Sequence, residues 1–211
     1  MGMLRTGIRE DRFTRTAVGE DAAEISDLLG QAYQDEPRMV ALLPDPEHRR
    51  TKLSELFSLL LDQDSRHRES ELSVRGGRIE AVAVWDRPTG VPDRLGYRLV
   101  QLPALLSVFR WRIPETMRAL ETLNTETGHR PDEPHWRLFA LGTTPSARGR
   151  GLAGELLERG LSRADAQDVP VYTEAATHAA VASFQRRGFR IIQEYTVPSG
   201  LTVFGLWRDP A

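Results

Sequence analysis

Residues 138–157, LFALGTTPSARGRGLAGELL, place Gly149 and Gly151 between an apolar run and a helical one. A glycine has no side chain to hold a bulky anion away from the main chain. The first N–H groups of the helix that follows lack partners inside it, and the helix dipole puts roughly half a positive charge there. The chemistry on offer is phosphate binding by the amides of Arg148, Gly149, Arg150, Gly151, Leu152 and Ala153. Arg148 and Arg150 can add charge-assisted bonds, although Arg150 reads nearly as well as a solvated loop residue. Further along, Glu174 closes the short apolar run VPVYTEA, where a carboxylate can take a proton from an incoming group. The same position also suits a capping or solvated carboxylate.

Two phosphate-binding readings compete. GRGLAG, residues 149–154, satisfies G-x-G-x-x-G, and Glu174 lies about 20 residues beyond it, as a dinucleotide site requires. Three features oppose NAD. Thr144, Pro145, Ser146, Ala147 and Arg148 separate the strand from the first glycine, whereas a dinucleotide fold runs almost directly into it. The motif comes late, leaving too little chain for further βα units. After Glu174 the pattern gives one helix and a hairpin rather than repeated crossovers.

The elements that must position this loop follow from periodicity. Residues 13–18 suit a first strand, and 21–33 a helix with Ala22, Ile25, Leu28, Leu29 and Ala32 at helical spacing and Asp21 as N-cap. Pro37, Pro44 and Pro46 predict a loop, and residues 49–61 a second helix. ELSVRGGRIEAVAVW reads as two strands joined at Gly76-Gly77. From Pro88 to Pro134 the pattern is helical, interrupted at Pro103 and Pro114. Strand 136–143, helix 155–166, strand 169–173, helix 179–187 and strands 189–195 and 201–207 complete the chain, with a turn at 197–200. Helices inserted into a largely antiparallel strand order imply an α+β, mixed α/β fold in a single domain over 1–211.

The run T-P-x-x-R-G-x-G-x-A between a strand and a helix resembles the acetyl-CoA motif of the GNAT N-acetyltransferase superfamily, whose core is Arg/Gln-x-x-Gly-x-Gly/Ala. FQRRGFR, residues 184–190, is similar to that family's Tyr-x-x-x-Gly-Phe turn. AVAVWDRP (81–88), HRPDEPHWRLFALGTTP (129–145) and VPVYTEA (169–175) are similar, in order and spacing, to the puromycin N-acetyltransferase branch. The resemblance spans 13–207 and is thin before Ala81.

It implies a mostly antiparallel sheet flanked by helices and an acyl-CoA-binding core at about 135–207. It also implies acetyl transfer from acetyl-CoA to a primary amine of a small molecule. The diphosphate would then lie on the amides of residues 148–153, and the pantetheine arm along Leu141, Gly142 and Thr143 as an added strand. Gly142 is the expected site of a bulge that splays the strand. An amide near Leu141 or Gly142 is the expected oxyanion donor, and Glu174 the expected base. The family's usual tyrosine acid is replaced by Phe184, and its usual asparagine four residues earlier by Ala180. Ser183, Tyr172, Tyr195 or water remain as proton donors, and His178 as a second base. A GNAT fold that binds acyl-CoA without turnover, as a sensor or partner protein, stays open on the same two departures.

The acceptor pocket is expected from the first two helices and the 88–134 insert. Asp35, Glu36, Asp45 and Glu47 could attract an amine, and Phe109, Trp111 and Trp136 could line an apolar wall; solvated loop and core are the plainer readings of the two groups. Composition narrows the rest. The chain has no cysteine, and its five histidines show no ligand spacing, so disulfides and metal are not expected. Lys52 is the only lysine, which removes lysine-based mechanisms and reflects a GC-rich, bacterial coding sequence. A net charge of −2 gives no field for nucleic acid. No apolar run suits a signal or a membrane span, so a cytoplasmic protein is expected, with a homodimer open.

Overall fold

The structure is a computed structural model and describes residues 12–63, 67–88, 105–110 and 112–211. Among the described residues seven strands form one sheet in the order β1-β2-β3-β4-β5-β7-β6. They are β1 (Arg12–Thr16), β2 (Arg68–Arg75), β3 (Arg78–Asp86), β4 (Trp136–Thr143), β5 (Val171–Ala175), β6 (Arg190–Thr196) and β7 (Thr202–Arg208). Among the described strands, only β4 and β5 run parallel. The helices are α1 (Ala22–Tyr33), α2 (Pro37–Leu42), α3 (Pro46–Gln63), α4 (Ile113–Gly128), α5 (Leu152–Ala166) and α6 (His178–Gln185). This is the mixed α/β architecture that the strand and helix order implies.

The β2–β3 hairpin turns at Gly76 and Gly77, with φ of 57° and 75°, the left-handed pair that a two-residue turn needs. The prolines behave differently from the expected loop. Pro37 and Pro46 each open a helix, where the missing N–H costs nothing. Asp21 is likewise not the side-chain cap of α1. Its carboxylate accepts from Val18 N at 2.7 Å and from Arg15 at 2.6 and 2.7 Å, closing a 3-10 turn instead.

Two apolar layers sandwich the sheet. Leu28 and Leu29 of α1 and Leu53 and Phe57 of α3 pack against Leu72, Val82 and Val84 on one face. Leu152, Leu156 and Leu161 of α5 pack against Ala81, Ala83 and Trp85 on the other. Along β4 the two layers exchange sides. Trp136 and Leu138 belong to the α5 layer, but Phe139 and Ala140, adjacent in sequence, both join the α1 layer. The β3–β4 register slips between Val84 and Trp85 to accommodate the additional residue. The bulge is therefore at Phe139, and the expectation of one at Gly142 is corrected. Gly142 is small for another reason: a Cβ there would stand 3.0 Å from the Leu28 and Leu29 side chains of α1.

Candidate active site

Downstream of the bulge the sheet opens. β4 and β5 pair only at Trp136–Val171, Arg137–Tyr172 and Leu138–Thr173. Thr144 N donates to Glu80 O on β3 at 2.9 Å. Bonded pairs alternate along an antiparallel ladder, so Gly142 also turns its amide to β3, where it faces Val82. Leu141 and Thr143 turn theirs to the open side. The donor expected at Gly142 is thus committed to the sheet, and Leu141 supplies the amide at this edge. Leu141 N donates to the Tyr33 hydroxyl at 3.1 Å.

The strand leads through a 3-10 turn, Pro145–Ala147, into the glycine loop. Gly149 and Gly151 have φ of 75° and 81°, and Gly151 caps α5 with its backbone alone. Helix α5 starts at Leu152, earlier than the expected 155. Its first closing bond runs from Glu155 N to Gly151 O at 2.9 Å. Among the described residues, the amides of 149–154 donate to no protein acceptor. A Cβ on Gly149 or Gly151 would meet nothing within 4 Å, so the loop faces open space. That is the geometry a diphosphate requires, and the residues present fit an acyl-CoA. Leu152 contributes its amide only, because its side chain is buried. The Arg148 side chain is exposed, but its amide, expected among the phosphate donors, closes the 3-10 turn on Pro145 O at 3.4 Å; Arg150 leans toward Glu80 at 3.5 Å.

Between the loop and the α1–α4 side lies a cavity of about 430 Å³. Ala153, Gly154, Ser183 and Phe184 line its α5 end. Tyr33, Met39, Phe57 and Leu123 line the other, where Glu36, Arg38, Glu126, Arg137 and Glu174 gather. The expected contribution of the first helices and the insert is what the cavity shows. Of the four acidic loop residues, Glu36 alone lines it; Asp35 is exposed, and Asp45 binds His48 and the Glu47 amide at the surface. Phe109 and Trp136 are core residues, Trp136 donating to Gln167 at 2.9 Å, so neither walls the cavity. Trp111 and Pro103 lie outside the described residues. His178 is exposed and rests on Phe204, away from the opening. Ala180 lines the cavity without a polar group.

The polar cluster is tightly bonded. Arg137 donates to Glu174 at 2.9 Å and to Asp86 at 3.1 Å. The Tyr195 and Tyr172 hydroxyls donate to the other Glu174 oxygen at 2.8 and 3.2 Å. Arg38 bridges Glu36 at 2.9 Å and Glu126 at 3.1 Å. Burial alone would raise the Glu174 carboxyl, but the charges of Arg137 and Arg130 hold it well below the usual range. Glu126 moves the other way: burial, and then repulsion from Glu174, raise it against the pull of Arg38. Glu174 accepts from three donors, Arg137, Tyr172 and Tyr195. Tyr172 and Tyr195 spend their protons on it. Nothing local in the sequence marks Glu126, Arg38 or Tyr33; Arg38 and Glu126 meet between two helices, and Tyr33 meets Leu141 of β4, each across a long stretch of chain. Among the described residues no group of histidines and acids is placed to hold a metal, and no helix is long and apolar enough to cross a membrane.

A sheet opened between two parallel strands, with a glycine loop at the head of the next helix, leaves a groove that an extended ligand carrying a diphosphate fits. Residues 116–189 match the model of the acetyltransferase (GNAT) family. A 73-residue stretch is 38% identical to a mycothiol acetyltransferase of Corynebacterium aurimucosum, covering 33% of this chain and 24% of that protein. The chain therefore spans about a quarter of that relative's length. An acetyltransferase of Corynebacterium glutamicum, described as histone acetyltransferase HPA2 and related acetyltransferase, superposes with a TM-score of 0.71 at 27% identity, over 95% of this chain and 97% of the other. Arylalkylamine N-acetyltransferase 2 of Aedes aegypti shares the fold at a TM-score of 0.66 and 15% identity, covering 95% and 100%. The chain is thus similar to acetyltransferases of the GNAT family over residues 116–189 and shares its fold with acetyltransferases along most of its length.

Proposed function

We propose that the protein moves an acetyl group from acetyl-CoA to the primary amine of a small molecule, both bound at once. The observation that carries this reading is the row of amides 149–154 without protein acceptors, set at the mouth of a cavity lined by carboxylates. On this reading residues 135–207 form the acyl-CoA half. The amides of 149–153 hold the diphosphate, Leu141 and Thr143 hold the pantetheine arm and thioester, and Phe184 packs against the arm. The Leu141 amide stabilises the oxygen that gains charge during transfer. Glu174 keeps an anion beside the incoming ammonium. Glu126, with its raised affinity for protons, accepts the proton that the amine must shed. Apolar Met39, Phe57 and Leu123 favour an acceptor whose amine sits on an apolar body, and puromycin is one such compound to test.

Calorimetric titration with acetyl-CoA, followed by thiol release over a panel of amines, tests the reading. Micromolar binding with amine-dependent thiol release is expected; absence of heat overturns it. Phe184 and Ala180 favour a second reading, a GNAT fold that binds acyl-CoA without catalysis. It would give heat with the thioester and no product with any amine.

A further inference from the structure

Tyr33 is the last residue of α1, and its ring rests against Phe57 at 5.3 Å between centroids. Its hydroxyl accepts from the Leu141 amide, and among the described residues it donates to no protein group. The oxygen thus occupies the place that an acceptor of that amide takes, at the open edge of β4 and in the wall of the cavity. At position 184, phenylalanine offers no hydroxyl to the reacting group.

We infer that Tyr33 is a catalytic residue, a hydroxyl that yields the Leu141 amide to the thioester oxygen and then donates its own proton in a hydrogen bond to that same oxygen. The inference rests on the proposed acetyl transfer. In that reaction the amine nitrogen forms a bond to the thioester carbonyl carbon while the C=O π pair moves onto oxygen. Leu141 N–H and Tyr33 O–H hold the negative oxygen from two sides. The pair then returns and the C–S bond breaks with its electrons on sulfur; the ammonium has lost one proton to Glu126 before attack, which Glu126 passes on to solvent, Glu126 then takes the second proton from the acylated nitrogen, and solvent protonates the thiolate. Tyr33 keeps its proton throughout. Burial raises its ionisation range, which suits a hydroxyl that must stay a donor at neutral and mildly basic pH.

Tyr33→Phe removes the hydroxyl and keeps the ring on Phe57. Loss of one oxyanion donor lowers kcat about 10²- to 10³-fold in other acyl-transfer sites. The expected result is a kcat reduced at least about 30-fold with the KM for the amine within about threefold. Acetyl-CoA should bind as tightly as before or more tightly, because the hydroxyl no longer competes for the Leu141 amide. A merely structural tyrosine would instead lower the melting temperature and weaken acetyl-CoA binding together. The inference is overturned by a Tyr33→Phe enzyme with kcat within threefold of the parent, or by parallel losses of stability and of acetyl-CoA affinity. If the parent protein turns over no amine at all, the proposed acetyl transfer fails first. If the parent is active and Tyr33→Phe matches it, only the role of Tyr33 fails.

Discussion

Arg137 and Glu174 meet at 2.9 Å across the short parallel pairing of β4 and β5, with side chains only 9% and 5% exposed. Removing one partner of such a pair leaves the other charged and buried, which costs about 3–5 kcal/mol. Arg137→Met is therefore expected to lose roughly that much in denaturant unfolding. The double variant Arg137→Met/Glu174→Met should lose clearly less than the sum of the two single losses, because the uncompensated charge disappears with its partner.

The depressed carboxyl of Glu174 sets a direction with pH. The unfolded carboxyl titrates near ~4.3, and the folded one lower, so the folded state binds fewer protons through that window. The stability that Glu174 contributes is complete above the unfolded value and is lost as pH falls through the folded one. Glu174→Gln should thus melt below the parent protein at pH 7, with the gap narrowing as the pH drops below about 4. A gap that widens on acidification would contradict the assignment.

Glu126→Gln separates proton acceptance from binding. A positioned acid or base contributes typically about 10²–10⁴-fold to a rate. The variant should lose activity within that span and lose the acidic limb of the pH–rate profile, while acetyl-CoA titrates as before. Retention of that limb would assign it to another group.

Gly151→Val tests the loop. The position has φ of 81°, where an L side chain costs about 1–2 kcal/mol, and the new side chain would stand in the space facing the amides. Acetyl-CoA affinity should fall by at least about tenfold, equivalent to ~1.4 kcal/mol, in calorimetric titration.

Gly160→Ala is the matching control in the core. A Cβ at Gly160 would lie 2.1 Å from the Trp85 ring, so α5 would have to move off the sheet. Overpacking of this kind costs about 1–3 kcal/mol. Lower thermal stability with retained acetyl-CoA affinity is expected.

The loop was readable in the sequence because its chemistry is local: two glycines, a preceding strand and a following helix determine where the amides point. The Gly76-Gly77 hairpin and strand β4 were readable for the same reason. Pro37 and Pro46 misled because proline ends one element and begins another with equal ease. The charged pair beside the cavity was hidden by distance. Glu126 and Arg38 are 88 positions apart, and only the packing of α4 over α2 brings them to 3.1 Å. Of the two amides expected at this edge, Leu141 faces the opening and Gly142 faces β3, because amide direction depends on the parity of the strand, which a single bulged residue resets.

That residue, Phe139, works like a frameshift written into three dimensions. Everything after it on β4 is turned over relative to everything before it. Exchanging the second half of this strand for that of a relative would succeed only if both carry the insertion at the same point. Joined out of phase, the graft would send its apolar side chains to the wrong layer and point the Leu141 amide into the sheet. Swapped chimaeras and single-residue deletions in this stretch should therefore fail to fold far more often than substitutions do.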